Sequence, residues 1–201
     1  MKENLLLHAC CGPCAEFPLD VLMQQEGYRP LLFFYNPNIH PRAEWQRRRG
    51  NLEKLAALRQ LNVLVDPAYA ETSYVQYDPA GNEGKSRCQM CYRLRLEHTA
   101  EKARELCLPA FTTTLLVSPY QDRDELIRQG QAAARYYGVE FLARDFRPGY
   151  RQGQTQARAD GLYRQKYCGC LPSLEQSEFR EKIWRDLESW SSGNPGTTVQ
   201  K

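Results

Sequence analysis

The chain has 201 residues, of which 42% are hydrophobic and 25% charged, and its formal net charge is +3. That length suits one domain with a substantial core, and that balance is ordinary for a globular protein. No apolar run approaches the roughly 20 residues of a membrane span, and the mild basic excess permits nucleic-acid binding without requiring it.

Residues 1–8 have too short an apolar core for a secretory signal, so a cytoplasmic protein is expected. Residues 5–9 are short and apolar and predict a buried strand. A turn with Gly12 and Pro13 follows, then a helix over 15–25. A second strand is expected over 30–35, a loop over 36–41 and a long helix over 42–61, with Leu52, Leu55 and Leu58 on one face. Residues 63–66 predict a third strand, and 69–85 look irregular, with Pro79, Gly81 and Gly84.

Helix is expected from Cys88 to about Leu106, and a fourth strand over 110–115, ending at Ser118-Pro119. A helix over 122–137, a fifth strand over 139–142, a loop over 147–153 and a helical stretch to about Arg164 come next. A tight loop over 167–170 and a helix over 174–190 complete the order. Residues 191–201 carry Gly, Pro, Ser and Thr and are expected to be a disordered tail. Alternating strands and helices predict an α/β fold: a Rossmann-like, five-stranded parallel sheet with helices on both faces. Such sheets bind ligands beyond the carboxyl ends of their strands. The loops after strands one, two and four should therefore meet at one edge.

The cysteines are unusual for a reducing compartment. There are 8 of them, and seven fall in three tight groups. Clustered thiols there point to metal or redox chemistry rather than structural disulfides. Cys11-Gly12-Pro13-Cys14, between a strand and a helix, has the arrangement of a thiol–disulfide oxidoreductase. Cys10 and the downstream pairs are surplus to that chemistry. Cys88 and Cys91 share one face at the start of a helix. With Cys10 and Cys11 they supply four thiolates, enough for a [4Fe–4S] cluster or for zinc. Spacing alone does not separate the two, though an adjacent pair such as Cys10-Cys11 is unusual in zinc ribbons. Cys168-Gly169-Cys170 reads as a redox-active dithiol able to form a strained disulfide bond, as a metal-binding pair, or as two ordinary cysteines near a turn. Cys107, between Leu106 and Leu108, is expected to pack as a small hydrophobe.

Five motifs carry a family resemblance: residues 8–14 (His-Ala-Cys-Cys-Gly-Pro-Cys), residues 35–39, the stretch from Arg87 through Cys88 and Cys91 to Arg95, residues 113–120, and the stretch from Tyr163 to Cys170. In this order and with these gaps, the chain resembles the cobalamin-independent epoxyqueuosine reductases from about Leu5 to Ser173. The resemblance implies reduction of epoxyqueuosine to queuosine in tRNA by an oxidoreductase, at the wobble position of the anticodon loop. It implies a single iron–sulfur reductase domain over residues 1–190, with a fold of the adenine-nucleotide alpha-hydrolase group. It also implies a [4Fe–4S] cluster on Cys10, Cys11, Cys88 and Cys91, a redox pair at Cys168 and Cys170, and an additional iron with Cys14 among its ligands. An external electron donor is required.

Removing an epoxide oxygen takes two electrons and two protons, and His8 is a candidate proton donor or a satisfied strand histidine. For tRNA, the candidate contacts are Arg147, Arg151, Tyr163 and Arg164, where arginine meets phosphate and aromatic rings stack on exposed bases. The resemblance adds Asn36, Asn38 and Tyr120, with Glu44 as a pocket residue. Arg47, Arg48 and Arg49 are read as a solvated helix face in preference to a tRNA contact. The competing readings are a thiol–disulfide oxidoreductase on Cys11 and Cys14, and a zinc-binding tRNA-interaction module without catalysis.

Overall fold

The structure is a computed structural model that describes residues 4–69 and 86–194. Its centre is a parallel sheet of five strands, β1 Asn4–His8, β2 Arg29–Phe34, β3 Val63–Val65, β4 Ala110–Thr113 and β5 Glu140–Phe141, in the order β3-β2-β1-β4-β5. In register, Leu6 of β1 stands between Leu31 of β2 and Phe111 of β4. The inner strands are apolar on both faces because helices cover both faces. Leu5, Leu6, Leu7, Phe33, Phe34 and Phe111 are fully buried.

The helices are α1 Gly12–Asp20, α2 Arg42–Arg59, α3 Arg87–Glu105, α4 Arg123–Tyr137, α5 Tyr150–Ala159, α6 Leu171–Glu175 and α7 Arg180–Ser192. Helix α1 packs on α2 and α5, and α3 packs on α4. Right-handed crossovers put the first set on one face of the sheet and the second on the other. The chain runs outward from β1 to β3, then returns to β4 on the other side of β1. The reversal leaves a crevice at the carboxyl ends of β1 and β4. A smaller cluster of Ala43, Tyr167, Leu174, Ile183, Trp184 and Leu187 fastens the C-terminal segment to the start of α2.

Several expected boundaries move for local reasons. Strand β4 stops at Thr113 because its Oγ1 accepts from the Leu115 amide at 3.1 Å, which starts a tight turn over Thr114–Val117. The first helix starts at Gly12 rather than at 15, and beyond Asp20 it widens into one turn over Val21–Gln25. The expected last helix is two, α6 and α7, with the Ser177 hydroxyl accepting from the Phe179 amide between them. Helix α7 reaches Ser192, into the expected tail; residues 195–201, like 70–85, lie outside the described residues. On α2, Leu52 and Leu55 are buried but Leu58 is 54% exposed, because steps of three residues drift around a helix of 3.6 residues per turn. Cys107 is exposed rather than packed, since it ends α3 in the left-handed conformation at φ 54°.

Arg59 ties α2 to α1, donating to Glu16 at 2.7 Å and to Asp20 at 3.0 Å. The second oxygen of the Glu16 carboxylate is buried without a hydrogen bond. Burial accordingly pushes the Glu16 pKa up to about 7, against the pull of Arg59. An acid whose folded pKa lies above its unfolded value of about 4.3 stabilises the fold below that value, and this contribution is lost as pH rises through the folded pKa. Glu16→Gln should therefore gain stability relative to the wild type as pH rises from 5 to 8, with no further gain beyond. Urea unfolding of both proteins across that range is the check, and a pH-independent difference would contradict the account.

Candidate metal and dithiol centre

At the end of β1 the chain turns directly into α1. The Asn36 side chain donates to the Ala9 carbonyl at 3.0 Å and holds that turn against the loop after β2. The turn buries Cys10, Cys11 and Cys14, whose sulfurs all lie within 4.8 Å of one another. The Cys10 and Cys11 sulfurs are 3.7 Å apart. Thr114, from the turn after β4, donates to the Cys10 sulfur at 3.6 Å, and Gln165 donates to the Cys14 sulfur at 3.2 Å.

These thiols do not ionise alike. Hydrogen bonds from Cys11 and Cys14 hold Cys10 well below the usual thiol range, with Arg95 and Thr114 adding to the effect. Burial first, and then Cys10, pushes Cys11 up, while the bond to Cys10 keeps Cys14 protonated. One thiolate flanked by two thiols is a soft donor set that a thiophilic metal completes by displacing the remaining protons. The trio therefore fits a metal group. It suits a disulfide exchanger poorly, because Cys11 is 1% exposed and Cys14 7% exposed, and exchange needs an accessible thiolate.

Cys88 and Cys91 lie in the first turns of α3, which opens with a capping box. Ser86 accepts from the Gln89 amide at 3.2 Å, and Gln89 accepts from the Ser86 amide at 3.0 Å. Cys88 is exposed and Cys91 half-buried. The Cys91 sulfur accepts from Asn38 at 3.4 Å, and the Asn38 carbonyl accepts twice from buried Arg95, at 3.0 and 2.5 Å. Burial pushes Cys91 up to about 12 against the charge of Arg95, and Cys168, Cys170 and Cys88 push the same way. Cys168 and Cys170 act on Cys88 as well. The two Cys pairs are thus electrostatic neighbours, although neither joins the tight trio. Thiolates on different irons of a cluster lie farther apart than thiolates on one ion, so a cluster does not need them in it.

The Cys168–Cys170 loop is held from below. Buried Arg48 donates to the carbonyls of Cys168 at 2.9 Å and Tyr167 at 3.0 Å, and to Glu44 at 2.6 Å. The His40 amide donates to the Gly169 carbonyl at 2.8 Å, and the Tyr167 hydroxyl donates to the His40 carbonyl. Gly169 has φ +132°, and a Cβ there would sit 3.1 Å from both Arg48 and Ile39. Above the loop opens a cleft of about 420 Å³, lined by Cys10, Cys14, Cys168, Tyr120, Tyr150 and Lys166 among others.

A sequence description of one family, "Epoxyqueuosine reductase QueH", matches residues 5–176. A relative of that name from Thermotoga maritima is 37% identical over 188 residues, covering 89% of this chain and 93% of its own. One from Dehalococcoides mccartyi is 34% identical over 173 residues, covering 86% and 93%. This chain belongs to the epoxyqueuosine reductase QueH family. Family membership agrees with the resemblance carried by the five motifs and makes the protein an oxidoreductase. In fold alone, the chain is also similar to a predicted subunit of tRNA methyltransferase from Methanocaldococcus jannaschii. The TM-score is 0.50 at 14% identity, covering 78% of this chain and 74% of that one. The likeness is one of fold, and it agrees with the parallel α/β sheet expected from the strand–helix alternation.

Within this QueH-family fold the expected site residues separate into three kinds. The seven grouped cysteines gather at the carboxyl edge; the topology led to that expectation for the first group alone, and the two later pairs join it there. Asn36, Asn38 and Tyr163 are given structural tasks in place of the expected contact with tRNA. Both asparagines are buried, bonded to Ala9 and to the Cys91 sulfur. The Tyr163 hydroxyl donates to Glu44 at 3.0 Å, and its ring is covered by Arg47 at 3.6 Å. His8 is fully buried, and burial with the charge of Arg95 lowers its pKa to about 4. Its Nδ1 lies 2.8 Å from the Thr113 hydroxyl and its Nε2 3.1 Å from the Tyr35 carbonyl. A carbonyl only accepts, so Nε2 carries the proton and Nδ1 accepts from Thr113. His8 is thus the satisfied strand histidine of the two expectations. Arg147, Arg151, Arg164 and Tyr120 are exposed, although Arg147 is engaged by Asp145 at 2.7 Å.

Arg48 is the main departure from expectation: it is buried rather than solvated. Its signal in the sequence was Glu44, four residues earlier on the same helix face. Gln121, which donates to the Cys168 sulfur at 3.7 Å, and Lys166 had no such signal.

Breaking a buried ion pair by removing one member leaves the other charge uncompensated. Arg48→Met should lower unfolding stability by about 3–5 kcal/mol, and adding Glu44→Gln should recover most of the loss. Denaturant curves of the two variants and the double variant measure this, and equal losses in Arg48→Met and the double variant would count against it.

Proposed function

We propose that this chain reduces epoxyqueuosine to queuosine in tRNA, at a centre that holds a [4Fe–4S] cluster on Cys10, Cys11, Cys88 and Cys91 and an additional iron beside Cys14. One observation carries this reading. Cysteines from three distant stretches of sequence meet at the carboxyl edge of the sheet, beside a single open cleft.

Converting an epoxide to an alkene with loss of water consumes two electrons and two protons. Side chains lack low-potential single electrons, and a bound cluster supplies them. The two electrons and two protons can come in full from Cys168 and Cys170, with the cluster passing the electrons on one at a time. When the two thiols become a disulfide, two S–H bonds break and one S–S bond forms, releasing two electrons and two protons. An external electron donor then restores the thiols.

The residues around the cleft suit a nucleoside drawn out of its stack. Tyr120 is 81% exposed and meets the Tyr150 ring edge-on at 6.2 Å, so it offers a face on which a base can stack. Lys166, Arg151 and Arg164 are exposed cations for the phosphates on either side. A volume of about 420 Å³ falls in the size range of pockets that take one small ligand. His8, held neutral and fixed at both nitrogens, anchors the start of the cysteine turn and is assigned no proton transfer.

The cluster and the dithiol are tested separately. In protein prepared without oxygen, Cys88→Ala should lose both the brown absorbance and turnover, and retained absorbance would remove Cys88 from the ligands. Cys168→Ser should keep the absorbance but turn over at least tenfold more slowly, so full activity in it would exclude the dithiol. A colourless wild type that binds zinc and tRNA without turnover would favour the zinc-module reading.

A further inference from the structure

The two thiols of the Cys168–Cys170 pair stand in different surroundings. Cys168 is exposed and lines the cleft, whereas Cys170 is buried at the start of α6. Only Cys168 has a side-chain donor aimed at its sulfur among the described residues, the Gln121 amide at 3.7 Å. That amide is oriented from behind, because the Tyr92 hydroxyl donates to the Gln121 carbonyl oxygen at 2.6 Å. Fixing the oxygen on Tyr92 leaves the NH₂ group facing Cys168.

We propose that Cys168 is the sulfur through which a dithiol reductant recharges the pair, with Cys170 as its buried partner and Gln121 as the group that stabilises the Cys168 thiolate. The proposal rests on the reading of Cys168 and Cys170 as the redox pair. Thiol–disulfide exchange requires a thiolate to reach the sulfur it attacks, so access selects Cys168. A thiolate of the reductant attacks the Cys168 sulfur, the S–S bond breaks, and Cys170 leaves as a thiolate and takes a proton. The second thiolate of the reductant attacks its own sulfur in the mixed disulfide and expels Cys168 as a thiolate, which takes the second proton. The reductant ends as a disulfide, two electrons and two protons poorer, and the pair gains both. Gln121 acts in the second step, where negative charge collects on Cys168. A hydrogen bond to a charged group is among the stronger ones.

The test uses the full, cluster-loaded chain without oxygen, in a Cys107→Ser background that removes the other exposed thiol outside the centre. Glutathione disulfide is the probe, and mass mapping reads the modified residue. Cys170→Ser should take up one glutathione on Cys168. Cys168→Ser should react at Cys170 at least tenfold more slowly. Adding Gln121→Leu should slow labelling of Cys168 by about tenfold and leave the rate at Cys170 unchanged, whereas a general loosening of the loop would change both. Tyr92→Phe, which frees the amide, should slow Cys168 in the same direction but less. Faster labelling of Cys170, or an unchanged Cys168 rate in Gln121→Leu, overturns the assignment. Full turnover in both serine variants would instead refute the redox pair itself, which keeps the two failures apart.

Discussion

The site is built around a guanidinium that never reaches solvent. Arg48 is compensated by Glu44 one helical turn away, and each of its two terminal nitrogens donates to a backbone carbonyl of the dithiol loop. Removing such a charge from water costs several kcal/mol unless every donor is satisfied. The loop over residues 167–170 therefore has to follow the fork of the arginine, and a lysine could not impose the same shape. The position of Cys168 and Cys170, nearly 160 residues from the first cysteines, is fixed by helix α2 rather than by the sheet.

The other sulfurs are placed by topology. Strands β1 and β4 are neighbours although more than 100 residues apart in sequence, and the turns leaving them bring Thr114 onto Cys10. The loop after β2 brings Asn38 onto Cys91. Each group of cysteines thus meets at least one polar side chain from a different element. This is what a cage of soft ligands needs, because its members must keep their positions before and after a metal displaces their protons.

Much of the fold could be read from sequence, since alternating apolar runs and amphipathic stretches imply a parallel sheet covered by helices on both faces, although they leave the strand order open. The meeting of the first cysteine turn with the loops after β2 and β4 followed from the position of ligand sites in such sheets, whereas the arrival of the two later Cys pairs did not. Boundaries were less legible where a single side chain decides them, as Thr113 does for β4 and Ser177 for the break between α6 and α7. Site residues were legible by type and not by role. Asn38 was expected near substrate from the family resemblance, yet its amide is used between Arg95 and a sulfur. Glu44, four residues earlier, marks Arg48 as half of an ion pair, but nothing local shows that the pair is buried, since that depends on a loop about 120 residues downstream. The same reason hides Gln121, whose partner Cys168 is 47 residues away.

Two buried arginines serve this centre in different ways. Arg48 is neutralised by Glu44 at 2.6 Å, so what it contributes is shape. Arg95 reaches the sulfurs through Asn38, and its positive charge favours thiolate at both Cys10 and Cys91 while it disfavours a proton on His8. A group of buried thiols that must lose protons to bind metal needs a nearby positive charge, and a histidine that changed its own charge there would work against it. Keeping His8 neutral and Arg95 charged separates the two tasks. The strand histidine then holds the turn, while the helix arginine lowers the cost of ionising the thiols that the turn and the helix carry.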